Sequence, residues 1–564
     1  MKKLFRNTYF KDCLLLTILI GILFGFMLGT RPLNTPDEGR YSEVSREMVA
    51  TGDYVTPRVN DIVFLDKPPM AYWLQSVSIH AFGLNRWALR LPIALVALLG
   101  CLFTYWAARE FYDRRAGWIA AISLSTGILY FAIAHYVNMD MEVAVFISCG
   151  LLLFLMGANA PPGREKSALM LGAYVAAAFA ILTKGLIGIA FPAMIIGLWV
   201  LLLNRWRILL QMRLLAGLII ILVICAPWFY AVQQANPEFL HYFFIFQQFD
   251  RFTGQGFNGS APFWFYLPII IVGFLPWISY FVPAVMKKIS WRQRQANSTE
   301  YFLIIWIVAV TVFFSVPNSK LVSYIIPVFP PMAILTAGYL SQNWHDIKAL
   351  TWPTRLCGFL LVFVGIGFFM AARIVPAQAH VDLTEARFAL EIIAMLYIAG
   401  AVGVNLWLRD NFVHSFRILI LMMVVMLWIT LAAAPSAIPG SSLPLAQQLK
   451  MRLQPGDKVV AYNNFFQDLP LYLQHKVVTV ANWDDINLKH QDNAVGQLAW
   501  GMQYKPQSRQ WMWTPSQFVQ HWNGKQRLYV VLKNRDLKQF AIAVKGHYRI
   551  IAKASTMVLV VNRA

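Results

Sequence analysis

Residues 140–158 have the sequence DMEVAVFISCGLLLFLMGA, in which two carboxylates precede sixteen residues without a charge. An apolar run of this length crosses the hydrocarbon core of a bilayer as a helix. Ionisable residues at membrane depth are costly, so the acids at the start of the run are candidates for function. This stretch therefore predicts a membrane helix that carries Asp140 and Glu142 at one edge of the bilayer.

The composition of the whole chain is also strongly apolar. Of its 564 residues, 58 % are hydrophobic and only 13 % are charged, against roughly a quarter in ordinary soluble proteins. These values exclude a purely soluble or disordered protein. The net charge of +21 is mostly explained by cations in the loops, so no nucleic-acid partner is expected. The five cysteines lie in apolar runs without metal-ligand spacing, and we expect neither disulfides nor a cysteine-ligated zinc.

Thirteen candidate membrane helices result when the chain is cut at charged and Pro- or Gly-rich interruptions. They comprise residues 13–29, 90–108, 116–134, 140–158, 168–183, 187–204, 214–233, 263–285, 301–316, 321–341, 356–375, 388–408 and 418–435. With the N-terminus inside, the inner segments hold 20 Lys and Arg residues and the short outer loops hold five. This asymmetry predicts a cytoplasmic N-terminus and, because the number of spans is odd, a C-terminal segment on the outer side.

The last part of the chain has a different composition. Residues 436–564 contain 16 Lys and Arg, 6 Asp and no Glu, and no run long enough to cross a membrane. Helical patterns occur at Gln467–Leu473 and near Lys533–Phe540. Short apolar segments predict strands at Lys458–Tyr462, Val477–Val480, Leu528–Leu532 and Met557–Val561. We predict a small α/β domain here, whose basic surface could face the headgroups of anionic membrane lipids.

The predicted domain boundaries follow from this change of composition. A transmembrane domain is expected at residues 1–435, including a first outer loop at 30–89 and a second at 234–262. The α/β domain is expected at residues 436–564. Within the first loop, interfacial helices are predicted at Ser42–Val49 and Met70–Phe82.

Ionisable and aromatic residues gather at the outer edge of the predicted spans. The candidates are Asp37, Glu38, Arg40, Tyr41, Arg58, Asp66, Lys67, Asp140, Glu142, Lys184, Arg251, Lys320 and Tyr324. Each residue also has a plainer structural interpretation: a place in a solvated loop, an acid at a helix N-terminus, or a cation whose long side chain extends to the membrane–water interface. Taken together they suit chemistry on a lipid phosphate, because a leaving phosphate needs cations and the attacking group needs a carboxylate nearby.

Three segments of the first loop carry a family resemblance: Asp37-Glu38-Gly39-Arg40-Tyr41-Ser42, Thr51-Gly52-Asp53-Tyr54 and Asp66-Lys67-Pro68-Pro69. They resemble the opening of the bacterial aminoarabinose transferases that modify lipid A, members of the GT-C superfamily alongside protein O-mannosyltransferases. The resemblance continues through Lys184-Gly185 and Ser319-Lys320-Leu321. It implies a GT-C fold of about 13 transmembrane helices in the bacterial inner membrane, with a C-terminal α/β periplasmic domain.

The same resemblance implies a function. The expected enzyme is an inverting glycosyltransferase that moves 4-amino-4-deoxy-L-arabinose from undecaprenyl phosphate to a phosphate of lipid A, which lowers the binding of cationic peptides such as polymyxin. By position, Asp37 and Asp140 are the expected catalytic acids, and Lys67, Lys184 and Arg251 the expected ligands of the donor phosphate. The expected cavity residues are Glu38, Arg40, Tyr41, Arg58, Asp66, Glu142, Lys320 and Tyr324. The family usually has Glu at the position of Asp66.

Alternative functions stay open at this point. The sugar or the acceptor could differ, with another glycolipid or a protein hydroxyl as acceptor. A transporter or flippase of a lipid-linked sugar is a different class, although the sequence has no internal repeat and no charge cluster at the midplane. A non-enzymatic scaffold would leave the pair Asp37 and Asp140 unexplained. No cofactor is firmly expected, but the Asp140-x-Glu142 pair could bind a divalent metal.

Overall fold

The computed structural model describes residues 2–244, 261–378, 384–407, 412–437, 440–485, 488 and 493–563. These residues form two compact units. The helical unit comprises the described residues of Met1–Leu28, Leu91–Phe229 and Phe252–Ser436. The mixed unit comprises those of Gly29–Arg90, Tyr230–Arg251 and Ala437–Ala564. The first outer loop thus belongs to the same compact unit as the C-terminal segment, whereas the domain boundaries at 435 and 436 stay a prediction.

The described α-helices and strands follow one another along the chain. The α-helices are Lys2–Gly25, Asp37–Thr51, Met70–Phe82, Arg86–Phe111, Arg114–Ser125, Ile128–Ala134, Met139–Asn159, Arg164–Lys184, Ile187–Leu203, Leu214–Ala235, Phe239–His241, Tyr266–Gly273, Ile278–Met286, Ser298–Ser315, Phe329–Gln342, Ile347–Gln378, Thr384–Trp407, Phe412–Ala437, Leu443–Lys450, Leu469–Leu473, Ala494–Gly501, Pro515–Trp522 and Leu537–Ala543. Short 3-10 helices lie at Trp206–Gln211, Phe263–Phe265, Trp291–Gln293, Val322–Val328, Met502–Tyr504, Pro506–Trp511 and Asn534–Asp536. The strands are Arg58–Val59, Ile62–Val63, Lys458–Tyr462, Val478–Val480, Met512–Trp513, Leu528–Lys533, Arg549–Lys553 and Met557–Val561.

The helical unit has the length and apolarity of a polytopic membrane protein. Among the described residues, ten helices are long and apolar enough to cross a membrane, or up to twelve if each of two bent pairs is one span. The bent pairs are Arg114–Ser125 with Ile128–Ala134 and Phe263–Gly273 with Ile278–Met286. A shorter apolar helix, Ile187–Leu203, lies over the predicted sixth span. The chain is therefore a multi-pass membrane protein, and the count of thirteen stays a prediction.

The helix Met139–Asn159 is the central helix of the helical unit, since 94 % of its apolar window is buried. Its first turn is capped by Asn138, whose side chain accepts a hydrogen bond from the Asp140 backbone N–H at 3.1 Å. Gly150 allows close packing of the helix Arg164–Lys184, because an added Cβ would lie 3.3 Å from a backbone oxygen of that neighbour. This antiparallel pair positions Asp140 at the start of one helix and Lys184 at the end of the other.

The C-terminal part of the mixed unit is a six-stranded sheet with helices, as predicted. Its strand order is Met512–Trp513, Val478–Val480, Lys458–Tyr462, Leu528–Lys533, Met557–Val561 and Arg549–Lys553. The first four strands are parallel, and Met557–Val561 runs antiparallel to both of its neighbours, Leu528–Lys533 and Arg549–Lys553. Side chains alternate between the two faces, so Val459 and Val460 join separate cores. Sequence reasoning found four of these strands and missed two.

The first outer loop is largely folded. Its acidic helix, Asp37–Thr51, and the helix Met70–Phe82 confirm that both predicted segments are helical, and their position at the membrane interface stays a prediction. Between them lies a two-stranded hairpin in which Arg58 pairs with Val63. Gly39 is needed in the acidic helix because an added Cβ would lie 2.8 Å from the backbone nitrogen of Asp468. Close packing on the C-terminal segment therefore fixes the start of this helix.

Candidate active site

Asp37 begins the acidic helix and is held by Arg40 from the same helical turn. Arg40 Nη2 donates to Asp37 Oδ1 at 2.7 Å and to the Tyr41 hydroxyl at 3.2 Å. The Asp37 side chain is 31 % exposed, whereas that of Arg40 is 12 % exposed. Burial alone would lower the pKa of Arg40, but Tyr41 and Asp37 raise it overall, so Arg40 remains a cation. The geometry is that of an accessible carboxylate held in place by a fixed positive charge.

Asp66 and Lys67 extend this group in the mixed unit. Lys67 Nζ donates to the Asp66 backbone oxygen at 2.9 Å and lies 3.6 Å from Asp66 Oδ2. The charge of Asp66 also acts on Arg40. We call Asp37, Arg40, Tyr41, Asp66 and Lys67 the Asp37 cluster. Its two acids and two cations could bind a phosphate and orient a reacting hydroxyl.

Sequence reasoning missed two residues that contact the Asp37 cluster. The Tyr242 hydroxyl donates to Asp66 Oδ1 at 3.4 Å, and Gln497 Oε1 accepts from Arg40 Nη1 at 3.0 Å. No local signal could have identified them, because they lie 176 and 457 positions from their partners.

Glu38 is fully buried and forms ion pairs with two arginines. Its carboxylate accepts from Arg31 Nη1 at 2.6 Å and from Arg90 Nε at 2.8 Å, and its side chain is 0 % exposed. Burial by itself would raise the pKa of Glu38, but Arg90 and Arg31 lower it overall. These contacts indicate that Glu38 anchors the acidic helix. Its expected place in a substrate cavity is untested.

Replacing Glu38 with Gln should destabilise the protein, because two buried guanidinium groups lose their counter-ion. A loss of about 3 kcal/mol would lower the Tm by roughly 6–12 °C in a domain of about 200 residues. Thermal unfolding of purified protein in detergent measures this change. Glu165→Gln is the matched control, since Glu165 is exposed. Equal Tm values for the two variants would contradict the role of Glu38 as an anchor.

A further acid on the same helix, Glu47, predicts a dependence of stability on pH. Burial, then repulsion from Glu43, raises the pKa of Glu47 from 4.5 to about 8. The folded state therefore holds a proton on Glu47 that the unfolded state releases. This contribution to stability is complete below pH 4.5, decreases as the pH rises, and is lost above pH 8.

The variant Glu47→Gln should remove this part of the pH dependence. Its Tm is expected to decrease less than that of the wild type between pH 5.5 and pH 8.5, which a series of thermal melts measures. Glu165→Gln should keep the wild-type slope. Identical slopes for Glu47→Gln and wild type would show that the Glu47 carboxyl does not titrate differently on unfolding.

Arg58 was predicted to line the substrate cavity, and in the structure it forms an ion pair with Asp53. Its Nη1 donates to Asp53 Oδ2 at 2.7 Å, and Asp53 also accepts from the backbone N–H groups of Val55 and Thr56. This network shapes the turn before the hairpin. A role of Arg58 in a cavity stays a prediction.

In the helical unit, Asp140 is held by groups from two other helices. Lys184 Nζ donates to Asp140 Oδ1 and the Ser323 hydroxyl donates to Oδ2. The Lys184 ammonium also lies 4.2 Å from the centroid of the Tyr324 ring. We call Asp140, Lys184, Ser323 and Tyr324 the Asp140 cluster. Ser323 was missed, although it directly precedes the predicted Tyr324.

The other predicted residues of the helical unit have distinct surroundings. Glu142 is buried beside Asp140, and its Oε2 atom accepts no hydrogen bond within the described part of the chain. Lys320 Nζ donates to the backbone oxygens of Ala261 and Pro317, at 2.8 and 2.5 Å, so its ammonium stabilises a turn. Arg251 lies outside the described residues.

A metal site was left open by the sequence. Among the residues that the structure describes, no group of three or more His, Cys, Asp or Glu could hold a metal ion. Binding of a divalent metal by the Asp140-x-Glu142 pair therefore stays a prediction.

Comparison with known proteins adds independent findings. The family described as dolichyl-phosphate-mannose-protein mannosyltransferase matches residues 66–230. An undecaprenyl phosphate-alpha-4-amino-4-deoxy-L-arabinose arabinosyl transferase from Edwardsiella ictaluri is 32 % identical over 366 residues, or 64 % of this chain and 65 % of that protein, slightly less than two thirds of its length. The protein of the same name from Enterobacter sp. (strain 638) is 33 % identical over 406 residues, or 70 % of this chain and 72 % of that protein. The crystal structure of ArnT from Cupriavidus metallidurans bound to undecaprenyl phosphate has a TM-score of 0.85 and 28 % identity, and covers 98 % of each chain.

The helical unit, the α/β sheet and this structural similarity define a membrane protein of the GT-C class. Within that class, the chain belongs to the family of the undecaprenyl phosphate-alpha-4-amino-4-deoxy-L-arabinose arabinosyl transferases.

Proposed function

We propose that the chain is an integral-membrane glycosyltransferase that moves 4-amino-4-deoxy-L-arabinose from undecaprenyl phosphate to a phosphate of lipid A. The names of its relatives support the donor and the sugar. The observation that carries the proposal is the Asp37–Arg40 pair, in which a partly exposed carboxylate is positioned by a cation. A transporter requires no such group, so this pair favours an enzyme.

The proposed reaction is a single displacement with inversion. An oxygen of the lipid A phosphate attacks C1 of the sugar, the bond from C1 to the phosphate oxygen of the donor breaks, and undecaprenyl phosphate leaves with the electron pair. Asp37 accepts the proton of the attacking phosphate group. Lys67, Lys184 and Arg251 are the proposed ligands of the donor phosphate, where negative charge develops. Asp140 is proposed as the second catalytic acid.

The cavity around the sugar is proposed from the remaining residues. Arg40, Tyr41, Asp66 and Tyr324 are the proposed cavity residues. The contacts that support these choices are those of the Asp37 and Asp140 clusters.

We further propose that the protein lies in the bacterial inner membrane with a cytoplasmic N-terminus and a periplasmic C-terminal segment. The excess of cations in alternate loops supports this orientation. On that side of the membrane, the transferred sugar would add positive charge to lipid A and weaken its attraction for cationic peptides such as polymyxin.

Mass spectrometry of lipid A tests the proposal. The chain is expressed in a Gram-negative host that lacks its own aminoarabinose transferase but still makes the donor. Addition of aminoarabinose to lipid A is the expected result. Unmodified lipid A, from a chain that purifies as a folded membrane protein, would overturn the choice of acceptor. Sugar on another glycolipid or on protein would identify the alternative acceptor.

A further inference from the structure

The helix Ala494–Gly501 of the C-terminal segment packs closely on the first outer loop within the mixed unit. An added Cβ at Gly501 would lie 2.1 Å from the backbone oxygen of Val63, so only glycine permits this approach. Beyond the helix, Lys505 Nζ donates to Asp61 Oδ1 at 2.7 Å, and the Ser508 hydroxyl donates to the Asp61 backbone oxygen at 3.1 Å. The helix is thus fixed to the hairpin at its C-terminal end.

One residue of this helix contacts the Asp37–Arg40 pair. Gln497 Oε1 accepts from Arg40 Nη1 at 3.0 Å, while Arg40 Nη2 donates to Asp37 Oδ1 at 2.7 Å. A guanidinium group is planar, so an acceptor on one side sets the direction of the donors on the other. Gln497 therefore determines where Arg40 holds the Asp37 carboxylate.

A second residue, one turn further along, contacts the other acid of the cluster. The Trp500 ring stacks on the Tyr242 ring, with an interplanar angle of 24°. The Tyr242 hydroxyl donates to Asp66 Oδ1, and Asp66 adjoins Lys67. Residues three apart lie on one face of a helix, so a single face reaches both acids.

We propose that the helix Ala494–Gly501 is a positioning element of the transferase, with Gln497 and Trp500 as its positioning residues. Gln497 orients Asp37 through Arg40, and Trp500 orients Asp66 and Lys67 through Tyr242. The C-terminal segment then contributes to catalysis indirectly, through Arg40 and Tyr242. This inference rests on the proposed function of the Asp37 cluster.

Steady-state kinetics of the full-length protein test the role of Gln497. The assay uses undecaprenyl phosphate-linked aminoarabinose as donor and lipid A as acceptor. Gln497→Leu keeps the size of the side chain but accepts no hydrogen bond, and is expected to lower kcat about tenfold to hundredfold with little change in Tm. Gln520→Leu is the matched control, because Gln520 is exposed on another helix of the same segment.

The variant Gln497→Glu separates positioning from mere packing. A carboxylate at this position still accepts from Arg40, so kcat should stay within about threefold of the wild type. Its negative charge partly neutralises Arg40, and the acidic limb of the pH profile should therefore move to higher pH. Gln520→Glu adds the same charge at an exposed position and should leave the profile unchanged.

Substitution of Trp500 should affect donor binding rather than turnover. Trp500→Leu is expected to raise the KM for the donor about tenfold, because Lys67 loses its fixed position, whereas Trp500→Phe keeps a ring and should rescue it. If wild-type protein is active and the Gln497 and Trp500 variants behave like the Gln520 controls, the inference is wrong. If the wild type transfers no sugar, the proposed function is wrong instead.

Discussion

Replacing Asp37 with Asn is expected to lower the rate of sugar transfer by about a thousandfold, the range of effect of a general base. An amide has nearly the same shape as a carboxylate and still accepts the hydrogen bond from Arg40, but it cannot take a proton from the attacking phosphate. The folded structure should therefore survive while the reaction stops. The rate is measured with purified protein, and the modified lipid A in cells by mass spectrometry.

The control for this variant is Asp484→Asn. Asp484 lies in the same unit, is exposed, and undergoes the same change of atoms. It should retain full activity. Normal transfer by Asp37→Asn, with a Tm equal to that of the wild type, would refute the assignment of Asp37 as the base and leave the acceptor phosphate to react without one.

A second large effect is expected from Lys184→Met. This change removes a cation proposed to bind the donor phosphate, which should lower kcat/KM by about a hundredfold or more. It also leaves the Asp140 carboxylate, whose side chain is only 11 % exposed, without its cationic partner. Loss of one member of a buried ion pair costs about 3 kcal/mol, so the Tm should decrease as well. Activity and thermal unfolding are measured on the same preparation.

The double variant Asp140→Leu with Lys184→Met separates the two effects. Because no unpaired charge is left, its Tm should recover towards the wild-type value, while transfer stays absent. Lys348→Met removes a cation from an exposed position and should change neither quantity. Wild-type activity in Lys184→Met would remove Lys184 from the proposed phosphate ligands. If activity returned in the double variant, the pair would have only a structural role.

The sequence predicted elements well wherever one local property decides them. Uncharged runs of membrane length located the helices around 140–158 and 418–435, because a bilayer admits few other structures. Short β-branched runs located strands such as Met557–Val561. The strand Met512–Trp513 was missed because two residues are too few to show a pattern. The strand Arg549–Lys553 was missed because it is an edge strand whose first and last residues are exposed and charged.

The candidate site was predicted as a set of residues, but the surroundings of its members were not. Glu38 and Asp37 are adjacent acids, yet only Asp37 is partly exposed, because the acidic helix buries Glu38 between Arg31 and Arg90. Sequence could not assign these opposite environments, since Arg31 precedes the helix that carries Glu38 and Arg90 lies 52 positions away. Lys320 likewise looks like a free cation in the sequence, whereas two backbone oxygens hold it.

By itself, the sequence determined that this protein crosses the membrane many times, which ends of its helices carry charge, and which acids and cations are candidates for chemistry. Those conclusions depend on composition and on spacing within about twenty residues, where hydrophobicity and charge act locally. Only the tertiary structure decided that Gln497 reaches Arg40 and that Ser323 reaches Asp140. Such contacts join residues 457 and 183 positions apart, and they form only because packed helices and strands bring distant segments to hydrogen-bonding distance.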